Sequence, residues 1–283
     1  NSLAQGNRAN ATAESAMAQG DSSTASGIYA VAQGRKANAT ANFTIAQGNT
    51  AVASAVSAIA SGNQAKATAE SAVAQGDNAL SSGIYAIAQG RKANATANFT
   101  IAQGNSAVAS AVSAIASGNQ AKATADSAVA QGNNANAAAD SAVAQGNSAK
   151  ATGAYAIAQG RKAEATANFT IAQGNSANAS AQYAMALGNQ AKANIEHGVA
   201  LGSSSETTVA KGVTGFNPTA QGTSDIRANA YAPLNGNALT STLAGVSVGS
   251  ATNTRQINHV AAGTADDDAV NVAQLRSVNL KIA

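Results

Sequence analysis

Few side chains in this sequence have the type and spacing that acid–base or metal chemistry requires. The two histidines, His197 and His259, lie 62 residues apart, and neither has a second ligand at metal-binding spacing. The chain contains no cysteine, which excludes disulfides, thiolate metal sites and cysteine nucleophiles. We therefore expect a surface or packing role for both histidines, and we expect neither a metal nor a cofactor.

Several carboxylates recur at one position of a repeating pattern. Glu14, Glu70, Asp126 and Asp140 each lie six residues before a regularly spaced glycine, so they are expected to stack in one column. Paired acid catalysis needs a cleft that brings carboxylates together, and a regular stack has no obvious cleft. The column is interpreted as solvated side chains, and we predict no catalytic residue and no enzymatic activity.

Three pairs of adjacent basic residues are the best candidates for contact with a partner. Each pair directly follows a regularly spaced glycine, at a predicted turn, and is expected to be exposed. One interpretation is docking of acidic glycans or acidic protein patches, and the other is simple solvation of a turn. The candidate residues are Arg35, Lys36, Arg91, Lys92, Arg161 and Lys162.

The glycines themselves reveal the elements that must position these residues. Fifteen glycines occur at every fourteenth position from Gly6 to Gly202, which is typical of a solenoid. Asn or Asp follows the glycine in eleven copies, which indicates a turn, and downstream alanines alternate with polar residues, which indicates a strand. One repeat is therefore predicted to be one coil of an all-β parallel roll, with two strands of about five residues each.

The predicted interior of such a roll is lined by alanine, which buries little apolar surface. The residue three before each glycine is always Leu, Met, Val or Ile, and strand alternation points it away from the alanine columns. We predict that this stripe is buried between copies of the chain, in a cyclic arrangement of three. The predicted trimer core is Val31, Ile45, Ile59, Val73, Ile87, Ile101, Ile115, Val129, Val143, Ile157 and Ile171.

Composition agrees with an extended exported rod rather than a compact enzyme. Aromatic residues make up 3% of the 283 residues, with no tryptophan, and the formal net charge is +3. The basic residues are spread along the chain, so no nucleic-acid footprint is evident. No apolar stretch has the length of a membrane span and no signal peptide is recognised, and the start in mid-repeat suggests a fragment of a longer chain.

One column of aromatic residues lies five positions before the glycine. It is expected to seal the edge of the subunit interface rather than to form a recognition ladder. Its members are Tyr29, Phe43, Tyr85, Phe99, Tyr155, Phe169 and Tyr183.

The sequence resembles the YadA-like trimeric autotransporter adhesins in two places. The repeated phrase Ala-Val-Ala-Gln-Gly-Asn is similar to the head-repeat motif of that family, usually Ser-Val-Ala-Ile-Gly. Residues 246–278, which begin Val-Ser-Val-Gly-Ser and later run Ala-Val-Asn-Val-Ala-Gln-Leu, resemble its neck. One departure is the residue before the glycine, which is Gln in eleven copies where the family more often has an aliphatic residue.

The resemblance implies a left-handed parallel β-roll, homotrimeric, followed by a neck that leads into a coiled-coil stalk. It also implies anchoring in the bacterial outer membrane through a barrel absent from this sequence. The implied segments are a β-roll head (1–204), an irregular insertion (205–245), a neck (246–275) and the start of a stalk (276–283). Short strands are expected near 239–248, and Asp266, Asp267 and Asp268 are expected to start and cap a helix.

The predicted function is adhesion: a trimeric rod on the bacterial surface that binds host matrix or host cells through many weak contacts. The resemblance implies collagen, fibronectin, laminin or epithelial cells as typical partners, and the residues do not choose among them. A structural spacer that carries another adhesive domain is the main alternative. A trimeric left-handed β-helix enzyme of the acyltransferase type is disfavoured, because its hexapeptide coils do not match a period of fourteen. An ice-binding surface is also disfavoured, because threonine occupies no column regularly.

Overall fold

The computed structural model describes residues 1–216 and 236–282, and both prolines, Pro218 and Pro233, lie outside these ranges. Residues 1–207 wind into a roll in which each fourteen-residue coil contributes one strand to each of two sheets. Strand β1 to strand β29 alternate between the sheets in chain order, so odd-numbered strands form the first sheet and even-numbered strands the second.

The strands of the first sheet have three residues each. They are β1 (Leu3–Gln5), β3 (Met17–Gln19), β5 (Val31–Gln33), β7 (Ile45–Gln47), β9 (Ile59–Ser61), β11 (Val73–Gln75), β13 (Ile87–Gln89), β15 (Ile101–Gln103), β17 (Ile115–Ser117), β19 (Val129–Gln131), β21 (Val143–Gln145), β23 (Ile157–Gln159), β25 (Ile171–Gln173), β27 (Met185–Leu187) and β29 (Val199–Leu201).

The strands of the second sheet have two residues each. They are β2 (Asn10–Ala11), β4 (Thr24–Ala25), β6 (Asn38–Ala39), β8 (Val52–Ala53), β10 (Lys66–Ala67), β12 (Leu80–Ser81), β14 (Asn94–Ala95), β16 (Val108–Ala109), β18 (Lys122–Ala123), β20 (Asn136–Ala137), β22 (Lys150–Ala151), β24 (Glu164–Ala165), β26 (Asn178–Ala179) and β28 (Lys192–Ala193).

From β1 to β29, each strand pairs in parallel with the corresponding strand of the neighbouring coil, in a register of one repeat. In the first sheet Ile87 lies opposite Ile101, and in the second sheet Val108 lies opposite Lys122. Residues at the same repeat position therefore stack in straight columns along the roll. Because neighbouring strands lie about 4.8 Å apart, fifteen coils form a rod of roughly 70 Å.

The interior is filled by alanine, as the sequence predicts. Four alanine columns, two from each sheet, point into the roll, and almost all of their members are fully buried. Threonine replaces alanine at Thr44, Thr100 and Thr170, which are also buried. The hydroxyl of each threonine donates a hydrogen bond of 2.6–2.7 Å to the carbonyl three residues earlier, so no polar group is left unpaired there.

The strands are shorter than the predicted five residues, because more residues of each coil lie in its two turns. Each coil has two turns, and each turn contains a residue in the left-handed region, such as Lys36 in one and Phe43 in the other. At the first turn the glycine also has a positive φ, as at Gly104 with 131°. A Cβ on Gly104 would lie 2.4 Å from the carbonyl oxygen of Gly118, so the stacked turns require glycine.

The fourteen-residue phase is interrupted after Gly202 and resumes at Gly249, 33 residues later than a continuous repeat would place it (47 minus 14). Strand β30 (Val246–Ser247) pairs in parallel with β29, with Val199 opposite Val246. Between them lie helix α1 (Gly236–Leu239) and an antiparallel bridge from Thr214 to Thr240. The strand expected near 239–248 is thus confined to two residues and that bridge.

Helix α2 (Val272–Ile282) ends the described chain, and its cap differs from the prediction. Asn271 is the N-cap: its Oδ1 accepts a 3.0 Å hydrogen bond from the Gln274 amide, and Gln274 Oε1 accepts one of 3.2 Å from the Asn271 amide. The expected aspartate cap is wrong, because Asp268 accepts hydrogen bonds from the amides of Thr264 and Ala265 instead. These bonds, the Thr264 amide first, lower the pKa of the Asp268 carboxyl below its ordinary value.

Within the described residues, neither helix has the length and apolarity that crossing a membrane requires.

Candidate adhesive surface

The coil presents four surfaces, each defined by repeat position. The outer side of the first sheet, which bears the Val/Ile column and the glutamines, is called the aliphatic face. The outer side of the second sheet, which includes Lys66 and Lys122, is called the lysine face. The turn after each glycine, which carries Arg35 and Lys36, is the glycine edge, and the opposite turn, with Tyr29, is the aromatic edge.

The eleven predicted trimer-core residues all lie in one column on the aliphatic face. Each is partly exposed in the single chain, whereas the alanines on either side of it along the strand point inward and are buried, apart from the buried threonines Thr44, Thr100 and Thr170. The column is continuous from Val31 to Ile171, since neighbouring members pair directly across strands. The roll therefore leaves an unbroken branched aliphatic stripe on its surface.

The glutamines beside this stripe form hydrogen-bonded ladders. The Nε2 of Gln33 donates to Oε1 of Gln19 and that of Gln47 donates to Oε1 of Gln33, both at 2.8 Å. Ser61 and Ser117 replace glutamine and interrupt the ladders. The amides pair with one another along the rod, so a column that the sequence suggested to be merely polar satisfies part of its own hydrogen bonding. Identical amides at a fixed period of fourteen were the signal for this ladder.

All six predicted partner-binding residues lie on the glycine edge and are exposed. The same edge carries asparagine ladders, for example from Asn49 Nδ2 to Asn63 Oδ1 at 3.0 Å and from Asn63 Nδ2 to Asp77 Oδ1 at 2.8 Å. This ladder ends at the coil of Arg91, where an extended cation replaces the short amide. The Arg-Lys pairs therefore interrupt an otherwise self-paired edge with side chains that reach into solvent.

The lysine face adds cations that were not singled out from the sequence. Lys66, Lys122, Lys150 and Lys192 occupy one outward column and are exposed. The feature of the sequence that could have identified this column is the shared repeat position of the lysines, four residues after the glycine. In the described chain the salt bridges are Glu196 with His197 and Glu196 with Lys211, so no lysine or arginine of residues 1–202 is paired within 4.0 Å.

The aromatic edge carries stacked rings. Tyr155, Phe169, Tyr183 and His197 form a continuous stack with ring centroids 4.7–5.4 Å apart. Tyr29 stacks on Phe43, and Tyr85 stacks on Phe99. The predicted aromatic column thus exists and is 45–57% exposed in the single chain; whether a neighbouring protomer covers it remains a prediction.

The groups that could do chemistry lie on the surface of the protein, where Glu196 contacts His197 at 3.8 Å. The column of Glu14, Glu70, Asp126 and Asp140 lies on the aromatic edge and is exposed, and His259 lies in the segment that precedes α2. No group of three His, Cys, Asp or Glu side chains able to hold a metal ion occurs among the described residues. The grooves of about 500 Å³ near the end of the roll are lined by segments around Glu206 and Asn253 and contain no paired carboxylates.

Two protein-family models match most of this chain. The family model described as the YadA head domain repeat matches residues 11–37, 25–51, 53–79, 81–107, 109–135, 137–163, 151–177, 165–189 and 179–205. The model described as the coiled stalk of trimeric autotransporter adhesin matches residues 256–283. The chain belongs to the YadA-like trimeric autotransporter adhesins. It comprises head repeats followed by the beginning of the stalk.

Among solved structures, the collagen-binding domain of the Yersinia adhesin YadA is similar to this adhesin head. The two share 28% sequence identity over 70% of this chain and 85% of that chain, with a TM-score of 0.44. No match was found among curated proteins.

One arginine adds side-chain contacts at the junction between the adhesin head and the stalk, where β29 pairs with β30. Arg255 donates through its guanidinium to the carbonyls of Val248 and Ser203 and to the Ser205 hydroxyl, the last at 2.9 Å. It thereby joins the last coil of the head to the strand that follows the insertion, and it faces Gly202, where a Cβ would lie 3.1 Å from the guanidinium carbon. This contact and the pairing of β29 with β30 together close the insertion at its base.

Proposed function

We propose that this chain is the adhesive head of a homotrimer on the bacterial cell surface and that it binds host matrix or host cells through repeated weak contacts. The supporting observation is the segregation of its surfaces. The aliphatic face carries no charged residue in residues 1–202, whereas the glycine edge carries three exposed and unpaired Arg-Lys pairs. The first is suited to burial between protomers and the second to contact with a partner.

Trimerisation multiplies each contact. The Arg-Lys pairs recur after four and then five coils, which is roughly 19 Å and 24 Å along the rod. A single exposed ion pair contributes little, about 0–1 kcal/mol, so one pair alone cannot hold a ligand. Three pairs on each of three chains act together, and linked weak contacts gain in avidity without any new type of interaction.

Collagen is the first partner to test, because it is the ligand named for the Yersinia domain. Binding of the purified trimer to immobilised collagen, fibronectin and laminin and to epithelial cells is measured at two salt concentrations. Retention that falls as salt rises supports contacts through the Arg-Lys pairs, since screening shortens the reach of exposed charges to about 8–10 Å near physiological ionic strength.

The matched variants replace charge on opposite edges. The test variant changes Arg35, Arg91 and Arg161 to Gln, and the control changes Glu14, Glu70 and Asp140 to Gln or Asn. All six positions are exposed, so both sets should leave the fold and the trimer mass unchanged. Loss of matrix binding in the first set alone supports the proposal, whereas equal binding by both sets removes the Arg-Lys pairs from it.

A spacer role is the second candidate, and one observation favours it. The surface of the roll over residues 1–202 is a set of straight columns, which suits a rod that holds another domain at a distance. An intact trimer that binds none of the matrix proteins and no host cell would establish the spacer role over the adhesive one. We propose no enzymatic activity for either role, because the carboxylates and histidines of the described residues form no group of three able to hold a metal ion and line neither groove as a carboxylate pair.

A further inference from the structure

The cations of the head follow a spacing of their own. Numbering the coils from 1 at Gly6 to 15 at Gly202, every lysine and arginine of residues 1–202 lies on the glycine edge or the lysine face. They occur in coils 1, 3, 5, 7, 9 and 11, and then in 12 and 14. In coil order they are Arg8; Arg35 and Lys36; Lys66; Arg91 and Lys92; Lys122; Lys150; Arg161 and Lys162; and Lys192.

This spacing places one cation-bearing coil about every 10 Å over most of the rod, because each coil rises about 4.8 Å. The acidic residues of the same two surfaces, Asp21 and Asp77, lie in coils 2 and 6, between the cationic coils, and Glu164 lies in coil 12. Eleven cations against three anions leave a net charge of +8 on these two surfaces over coils 1–14. The opposite edge carries Glu14, Glu70, Asp126, Asp140 and Glu196 and no lysine or arginine.

We propose that the glycine edge and the lysine face together form a lane that binds an extended acidic polysaccharide, such as a sulfated glycosaminoglycan of host matrix. This inference rests on the proposed adhesive function and names one class of its ligands. Such a polysaccharide is built from disaccharides, so its pattern of carboxylates and sulfates recurs once every two rings. The lane repeats its own charge once every two coils, and all its cations are exposed and unpaired.

The neutral residues of the lane also favour a sugar. Along an extended segment, side chains i and i+2 lie on the same side. On the lysine face, the residue two positions after each lysine is therefore that lysine's neighbour. That neighbour is Thr68 beside Lys66 and Thr124 beside Lys122, both exposed, and threonine or serine fills most of this column. Hydroxyls suit hydrogen bonding to sugar hydroxyls.

A nucleic acid fits the same lane less well. Single-stranded nucleic acids are held by cations together with aromatic platforms on which bases stack. In residues 1–202 every aromatic ring lies on the aromatic edge, at the turn opposite the Arg-Lys pairs. An acidic globular protein would present charges without a fixed repeat, so it would not require cations at every second coil.

A swap of neighbouring residues tests the spacing without changing composition or net charge. Val52 and Lys66 pair directly across strands of the lysine face, as do Val108 and Lys122. The variant V52K/K66V/V108K/K122V moves one cation from coil 5 to coil 4 and another from coil 9 to coil 8. A second variant, K66Q/K122Q/K150Q, removes the charges, and the control E14Q/E70Q/D140N removes charge from the opposite edge.

Affinity of each intact trimer is measured for long-chain heparin, for a heparin hexasaccharide and for single-stranded DNA. We expect the charge-removal variant to lose roughly tenfold or more in heparin affinity, the swap to lose a smaller but clear factor, and the control to gain or stay equal. Long chains should bind far more tightly than the hexasaccharide. Each variant must have the melting temperature and trimer mass of the parent for its affinity to be compared. If the charge-removal variant does not fold, the swap variant tests the proposal.

Three results overturn the proposal: equal heparin affinity for the swap and the parent, equal or tighter binding of DNA than of heparin, or loss of the trimer when R35Q is made, which would place that cation between subunits. Failure of the lane and failure of the adhesive function are distinguishable. Matrix-protein and cell binding that persists without heparin binding removes only the lane. Heparin binding without attachment to matrix or cells removes the adhesive role.

Discussion

Replacing Ile101 and Ile115 by aspartate tests whether the aliphatic face is buried between protomers. The two residues pair directly across strands near the middle of the rod, and each is only partly covered by its own chain. In a trimer around the aliphatic stripe, the double variant places six carboxylates in an apolar interface. The effective penalty of burying an unpaired ion is several kcal/mol, so two carboxylates per chain cost an amount comparable to the 5–15 kcal/mol that stabilises a typical fold.

The expected outcome is loss of the trimer, together with loss of the folded roll, since the alanine interior alone buries little apolar surface. Sedimentation equilibrium gives the mass, and circular dichroism gives the β content. The matched control is V52D/V108D, which makes the same chemical change on the lysine face, where Val52 and Val108 face outward from the second sheet. An unchanged oligomer from I101D/I115D, or a monomer that keeps its full β content, would refute the reasoning.

Three further outcomes are expected. Gly104→Ala should lower the free energy of unfolding by more than about 1 kcal/mol, because its Cβ would meet the Gly118 carbonyl, whereas Gly212→Ala, with nothing within 4 Å, should cost less in a melting experiment. Gln33→Ala removes two ladder bonds and should cost about 1 kcal/mol per lost bond, with Gln33→Ser as a comparison. The pKa of the Asp268 carboxyl is lowered on folding, so the stabilisation of the neck by this carboxylate is complete above the ordinary value of 3.8 and is lost as the pH falls through the lower folded value. Asp268→Asn should abolish this loss of stability at acid pH when the melting temperature of the neck is followed against pH.

The roll could be predicted from the sequence because its requirements are local and repeated. Gly104 and its fourteen counterparts identify the turn, since only glycine tolerates both the positive φ and the approach of the next coil. The column of Val31 to Ile171 identifies the outward stripe, because strand alternation fixes its direction. Each inference depended on one residue type recurring at one position.

The shorter strands could not be predicted in the same way. The second turn of each coil places residues such as Phe43 and Ser57 in the left-handed region, which neither residue type indicates. Alternation of alanine with polar residues continues through the turn, so the pattern alone overestimates strand length. The turn is set by stacking on the neighbouring coils rather than by the residue itself.

Contacts between distant segments were also beyond the sequence. The return of the roll at Val246 depends on pairing with Val199 across an insertion, and Arg255 reaches Ser203 across 52 residues. The helix cap was misassigned because three consecutive aspartates and one asparagine all have capping side chains. The choice of Asn271 depends on its reciprocal bonds with Gln274.

Of the candidate surface, the Arg-Lys pairs were found because adjacent cations at a turn are conspicuous. Each of the four lysines of the lysine face is an isolated cation in the sequence, and only their shared repeat position indicates that they form one column. The structure places this column, with Lys66 and Lys122, beside the glycine edge.

The most direct test of the buried stripe is oxidative cross-linking at a single introduced thiol. The chain has no cysteine of its own, so any covalent dimer reports the introduced position. Ile101→Cys, on the aliphatic face near the expected three-fold axis, should form disulfide-linked dimers on oxidation, whereas Val108→Cys, on the lysine face, should not. A single-chain band from the first variant, or equal cross-linking by both, would contradict a trimer built around the aliphatic stripe.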